Sequence, residues 1–152
     1  MSEPADASRM VEVGGKEVTD RRAVAECVVR MSGETVERLV EGTPKGDPLD
    51  AAQVAGLLAA KRTPELLPFC HPVAVTGAEV EVAADRSGGR GGIRATVRAR
   101  DRTGVEMEAL TACAVAALSI YDTAKAFQRD AMIERIRLVE KEGGTGGDYR
   151  AS

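Results

Sequence analysis

Asp122 and Lys125 stand three residues apart at the end of ALTACAVAALSIYDTAK, a stretch that is apolar almost throughout until it reaches them. On a helix, that spacing puts both side chains on one face, about 4.5 Å apart along the axis. Following an apolar stretch, the pair is expected where solvent access is restricted; a lysine there loses proton affinity, and a neighbouring carboxylate restores it. Such a pair can be tuned for proton transfer near neutral pH. An exposed i,i+3 ion pair has the same spacing and contributes little to stability, and spacing alone favours that plainer reading.

Glu106 and Glu108 lie in the first turns of the same helix. Thr103 and Glu106 have the spacing of a capping box, which gives Glu106 a structural role. Glu108 has a weaker structural reason to be there. It precedes Asp122 by 14 residues, about 21 Å along a helix axis and about 40° off the same stripe. Groups that far apart on one rod rarely meet in one small site. Either one of them is uninvolved, the ligand is long, or a second subunit brings the ends together.

His71 is the single histidine and sits in FCHP, where Pro72 biases it away from helical backbone. It reads either as a structurally satisfied side chain or as an acid/base or hydrogen-bonding group on a stiff connector. Cys70 beside it does not make a zinc site, because no further ligands stand at suitable spacing. Basic residues cluster at Arg21-Arg22, at Lys45 before Asp47-Pro48, and at Lys61-Arg62. Lysines and arginines beside helix N-termini suit phosphates, although each one alone reads as ordinary solvated charge. The closing GGTGGD can wrap an anion with backbone N–H groups but lacks the GK[ST] of a phosphate-binding loop. Flexibility of a glycine-rich tail explains it at least as well.

The elements that must position these groups follow from periodicity and punctuation. A length of 152 residues suits one domain with one core. Residues 1–9 are polar and small and are expected to be disordered. Met10–Val13 reads as a short strand and Val24–Met31 as a half-buried one. Ser32–Glu41 reads as a helix stopped by Gly42. Asp47-Pro48 starts a helix to about Arg62, and Thr63-Pro64 repeats that signal for a short second one. Val73–Ala84 and Ile93–Arg102 alternate around the turn DRSGGRGG, as an antiparallel hairpin does. A helix of about 25 residues is expected from Gly104 to about Arg129. Met132–Lys141 is a last strand, and 143–152 a glycine-rich tail. The order predicts an α+β, ferredoxin-like βαββαβ domain over 10–142, with an antiparallel sheet and an extra helix in the first crossover.

Composition narrows the function classes. Net charge is −3, which argues against a general polyanion-binding surface while permitting a local basic pocket. Two Phe, two Tyr and no Trp leave few platforms for stacking bases. No apolar run approaches the roughly 20 residues of a membrane span, and the polar start MSEPADASRM has no signal-peptide core. Three widely spaced cysteines, 27, 70 and 113, fit reduced thiols better than a disulfide framework. A cytoplasmic protein with neither a nucleic-acid nor a membrane partner is expected. A ligand-sensing module on the same fold is the main rival to an enzyme, and the Asp122/Lys125 pair favours the enzyme.

The segments MVEVGGKEVTDR, KGD, AAKRTPELLPFCHP, GVEMEALTACAVAALSIYDTAK and GGTGGDY, in that order, resemble the molybdenum cofactor biosynthesis protein C family over about residues 10–149. The resemblance implies a phosphorus–oxygen lyase that converts cyclised dihydro-GTP to cyclic pyranopterin monophosphate and releases pyrophosphate. It implies a hexamer built from dimers, with active sites at subunit interfaces. Asp122 and Lys125 match the catalytic pair. Lys45 and His71 match active-site positions, and Lys61 and Arg21 match positions suited to the triphosphate. Glu106, Met107 and Glu108 match a purine-side pocket, and Cys70 accompanies His71 among the substrate-binding positions. No cofactor is required and no metal site is implied, while Mg²⁺ can accompany the triphosphate. The sequence departs from the family pattern at Thr145, where a lysine is usual, and in the turn before KGD, which is one residue shorter and carries Pro44.

Overall fold

The computed structural model describes residues 7–152, so part of the segment expected to be disordered (residues 1–6) lies outside the described residues. The elements are β1 (Thr19–Arg30), α1 (Gly33–Glu41), α2 (Pro48–Leu66), β2 (Val75–Asp85), β3 (Arg90–Asp101), α3 (Glu106–Ala124), β4 (Met132–Glu142) and β5 (Tyr149–Arg150). The sheet order is β2-β3-β1-β4-β5 with every neighbour antiparallel. This is the expected α+β, ferredoxin-like arrangement, with α1 and α2 together forming the first crossover. No helix among the described residues is long and apolar enough to cross a membrane.

Alternation decides the two faces of the sheet. Ala23, Ala25, Cys27 and Val29 of β1, with Ile93, Ala95, Val97 and Ala99 of β3, are buried in the core that α2 and α3 cover. The opposite face is a ladder of cross-strand ion pairs. Arg22 meets Glu140 at 2.8 Å, Arg30 meets Glu134 at 2.7 Å, Arg98 meets Glu79 at 3.1 Å, and Arg94 meets Glu26. None of β1–β4 contains an aromatic residue, so this face offers bases no stacking platform.

The covering helices are packed through small side chains. On α3, Ala109, Ala112, Cys113, Ala116, Ala117, Ile120 and Ala124 are buried at helical spacing. On α2, Gly56 faces α3 so closely that an added Cβ would lie 3.0 Å from the Ala112 carbonyl oxygen. The close approach makes α3 a stiff rod between the sheet and α2, and its orientation fixes where its charged ends point.

Several boundaries differ from expectation, each for a local reason. Met10–Val13 forms no strand, and β1 instead begins at Thr19, where β3 reaches back to pair it with Asp101. The expected break at Thr63-Pro64 does not occur: α2 runs on through Pro64 to Leu66. Proline removes the N–H that would bond the Ala60 carbonyl. The buried Thr63 hydroxyl replaces it, with donor–acceptor distances of 3.2 Å to the Ala60 oxygen and 2.9 Å to the Ala59 oxygen. Thr63→Val keeps the shape and deletes that substitute. It is expected to cost about 1–3 kcal/mol, read as a lower urea midpoint with an unchanged slope.

The long helix is shorter than expected, ending at Ala124 rather than near Arg129. The Tyr121 hydroxyl donates to the Arg129 carbonyl at 2.8 Å, and the Gln128 carboxamide oxygen accepts from Ser32 N and the Thr35 hydroxyl at the start of α1. These contacts draw the chain off the helical path and leave Lys125 at the C-terminal cap. The capping box at the other end is absent as well. Val105 is the N-cap and supplies no side-chain bond, and Glu106 turns to Lys141 instead.

Candidate active site

The sequence-predicted residues gather into two groups, one at each end of α3. At the N-terminal end, Glu108 is 1% exposed. The Cys70 thiol lies 3.5 Å from its Oε2. Burial raises the proton affinity of the Glu108 carboxyl, and the nearby Glu106 charge adds to the rise. Burial, followed by the Glu108 and Glu106 carboxylates, pushes the Cys70 thiol up to about 11. Lys61 and Pro64 of α2, Pro72 and Val73 of the connector, and Glu108 border one cavity of about 280 Å³. Lys61 and Glu108, 47 positions apart in sequence, therefore face the same space. Met107 is exposed on the outer side of the helix, and His71 is half-buried beside Cys70.

Glu106 lies at the rim of this group. Its carboxylate folds back over Gly104, where an added Cβ would collide with it. Its Oε1 sits 3.0 Å from the Lys141 ammonium and has no hydrogen bond of acceptable angle, so the contact is an ion pair by distance only. Nothing in the sequence singles out Lys141. It is the last lysine of an ordinary strand pattern, and only the pairing of β4 with β1 carries it to the start of α3.

Two residues hold the connector and the helix start together. Asp101 accepts from Ala74 N at 2.8 Å and from Arg102 N at 2.7 Å, and those backbone donors hold its carboxyl below the usual range. This ties the Cys70–Ala74 connector to the turn that launches α3. Sequence reasoning missed Asp101, whose only signal was its position at a strand end. Arg21 is 8% exposed, and its guanidinium donates to the carbonyl oxygens of Asp101 at 3.4 Å and Arg102 at 3.1 Å. Gly143 and Gly144, both at positive φ, lie against it, and a Cβ at either position would collide with this arginine or the Asp20 carbonyl.

At the C-terminal end of α3, the Lys125 ammonium is 2.5 Å from Asp122 Oδ1. Solvent access is not restricted here as expected: the two side chains are 54% and 74% exposed. The inward stripe of α3 passes through Ala116, Ala117, Ile120 and Ala124, so 118, 122 and 125 fall on the outer face. The pKa consequence reverses with the exposure. The hydrogen bond and charge of Asp122 hold the Lys125 ammonium above its usual value, and Lys125 holds the Asp122 carboxyl below its own. The charge of Lys45 also lowers Asp122, so the KGD turn belongs to this end of the helix. Lys45 itself is exposed in a tight loop closed by Thr43 and Gly46.

Among the described residues, no group of three or more His, Cys, Asp or Glu side chains is placed to hold a metal ion. All three cysteines are free thiols.

Residues 10–144 match the model of the MoaC family. The chain belongs to the MoaC family. Three similar proteins carry the name cyclic pyranopterin monophosphate synthase. That of Pelotomaculum thermopropionicum is 53% identical over 143 residues, covering 93% of this chain and 84% of that protein. That of Roseiflexus sp. (strain RS-1) is 52% identical over 143 residues, covering 93% and 90%. That of Brucella ovis is 49% identical over 147 residues, covering 96% and 89%. The MoaC match takes in both groups of residues, from Arg21 and Lys45 through His71 and Glu108 to Asp122 and Lys125.

Proposed function

We infer that this chain is an enzyme, a cyclic pyranopterin monophosphate synthase of molybdenum cofactor biosynthesis. The observation that carries the reading is the family match over residues 10–144 together with relatives of that name at about half identity along nearly the whole chain. In this reading the substrate is cyclised dihydro-GTP (3′,8-cyclo-7,8-dihydroguanosine triphosphate). The reaction releases pyrophosphate, as a phosphorus–oxygen lyase does, while the guanine imidazole ring opens and the pterin is rebuilt.

Different side chains take different parts of that substrate. Glu106, Met107 and Glu108 receive the purine side, where carboxylates accept guanidine-type N–H groups. His71 binds substrate as well, and Lys45, Lys61 and Arg21 serve the phosphate side and the leaving pyrophosphate. Arg21 does so while also holding the turn before α3. Lys125 moves protons, with Asp122 holding it. Because Asp122 raises its proton affinity, Lys125 enters the cycle as an ammonium and acts first as an acid. No resident cofactor is needed, and Mg²⁺ enters with the triphosphate.

A homo-oligomer with shared sites is part of the reading. Glu108 and Asp122 lie about 21 Å apart along one helix, and the outer face bearing Asp122 and Lys125 also exposes Leu118. A second subunit's α3 start facing that surface completes a site; a trimer of dimers satisfies this throughout. A cytoplasmic setting goes with it, where free thiols persist. The test is incubation of the purified chain with the cyclised GTP precursor, followed by detection of the pterin product and pyrophosphate. Both are expected. A folded, assembled protein that yields neither sinks the reading.

A further inference from the structure

We propose that Cys70 is a positioning residue, whose thiol donates to the buried Glu108 carboxylate and fixes that side chain toward the cavity it shares with Lys61. The proposal rests on the reading above, in which Glu108 meets the purine side of the substrate.

The geometry leaves Glu108 few other anchors. It is 1% exposed, yet no Lys, Arg or His nitrogen among the described residues lies within ion-pair distance of it. Among the described residues, the Cys70 thiol at 3.5 Å is its one side-chain donor. A buried carboxylate held only by its own backbone N–H and one weak thiol donor keeps accepting capacity for a ligand. Its rotamer nevertheless needs an anchor, since an unanchored carboxylate would lose alignment with the groups it must accept.

The connector is built to present that thiol. Pro72 restricts the backbone before it, and Asp101 clamps Ala74 from the far side. A thiol pushed up to about 11 stays protonated at neutral pH, so it is available as a donor and is a poor nucleophile. The titratable or charged groups around Glu108 are Cys70 on the connector, Glu106 on its own helix, and Lys61 of α2 across the cavity. The neighbours from the connector and β2, Val73 and Val75, are apolar.

The sign of the pH effect follows. The thiol stabilises the ionised carboxylate, so deleting it raises the Glu108 proton affinity further. In the assembled full-length chain, Cys70→Ala is expected to raise KM about tenfold, as loss of a hydrogen bond to a charged group does, with kcat little changed. The acid limb of kcat/KM should move to higher pH. Cys70→Ser keeps a donor and should restore both KM and the limb. A packing role would instead give equal losses for Ala and Ser with no movement of the limb, and that result overturns the proposal.

A second arm needs no substrate. Iodoacetamide alkylation of Cys70, followed by mass spectrometry between about pH 7 and pH 10, reads the thiolate fraction. Glu108→Gln removes the carboxylate and should speed alkylation of Cys70 several-fold, while the buried Cys27 and Cys113 stay unmodified. An unchanged alkylation rate overturns the pairing. A wild-type chain without synthase activity would count against the proposed function alone, because the alkylation arm still decides the contact.

Discussion

Lys125→Ala should reduce turnover of the cyclised GTP precursor by about three orders of magnitude, the scale on which a positioned general acid contributes. The side chain is exposed and, among the described residues, bonds only Asp122, so its removal leaves the core untouched. The variant should keep the assembly size of the parent by size-exclusion chromatography and its unfolding midpoint. Lys125→Arg separates two ways of losing activity. Arginine preserves the positive charge and can still bond Asp122, but it does not release a proton in a protein. If Lys125 transfers protons, Arg is as inactive as Ala. If it serves only as a charge beside the phosphates, Arg recovers a substantial fraction. Near-normal turnover by the Ala variant would remove Lys125 from catalysis altogether.

Mixing two dead variants should revive the enzyme. Glu108→Ala and Lys125→Ala damage opposite ends of α3, so each is expected to be inactive as a homo-oligomer. A site shared across a two-fold interface takes one end from each subunit. Co-expression then places an undamaged Glu108 end opposite an undamaged Lys125 end in some interfaces. Random pairing predicts recovery to about a quarter of wild-type activity. If one chain supplies its whole site, the mixture stays as inactive as its parts. The two outcomes are far enough apart that an end-point assay for pyrophosphate distinguishes them.

Local signals in the sequence were enough for the architecture and not for the environment of the charges. Ser32 and Gly42 bracket α1 as capping rules expect, and Asp47 accepts from Leu49 N and Asp50 N ahead of Pro48. The hairpin around residues 86–89 and the strand alternation were equally plain, because turn chemistry and period are written in neighbouring residues. What failed depended on distant partners. Thr63 before Pro64 carries the signature of a helix start; the same hydroxyl in a packed helix repairs the missing bond instead. Glu106 left its capping role for a lysine 35 positions on, brought close by strand pairing. Asp122 and Lys125 followed an apolar run, and their exposure depends on which side of α3 meets the sheet. The motifs located the candidate residues, and the resemblance gathered them into one function. Only the fold shows that Lys61 and Glu108 share a cavity, with Cys70 bonded to Glu108, while Lys45 joins the opposite end with Asp122.

Gly143 and Gly144 belong to a segment that looks expendable, yet they seal the buried guanidinium of Arg21, and Tyr149–Arg150 returns to pair with β4. Truncation after Glu142 would therefore admit water to a cation beneath the turn that launches α3. Engineering of this chain should treat its last ten residues as part of the domain. A C-terminal fusion needs its spacer beyond Ser152, and a mutational scan should find positions 143 and 144 as intolerant of side chains as the core itself.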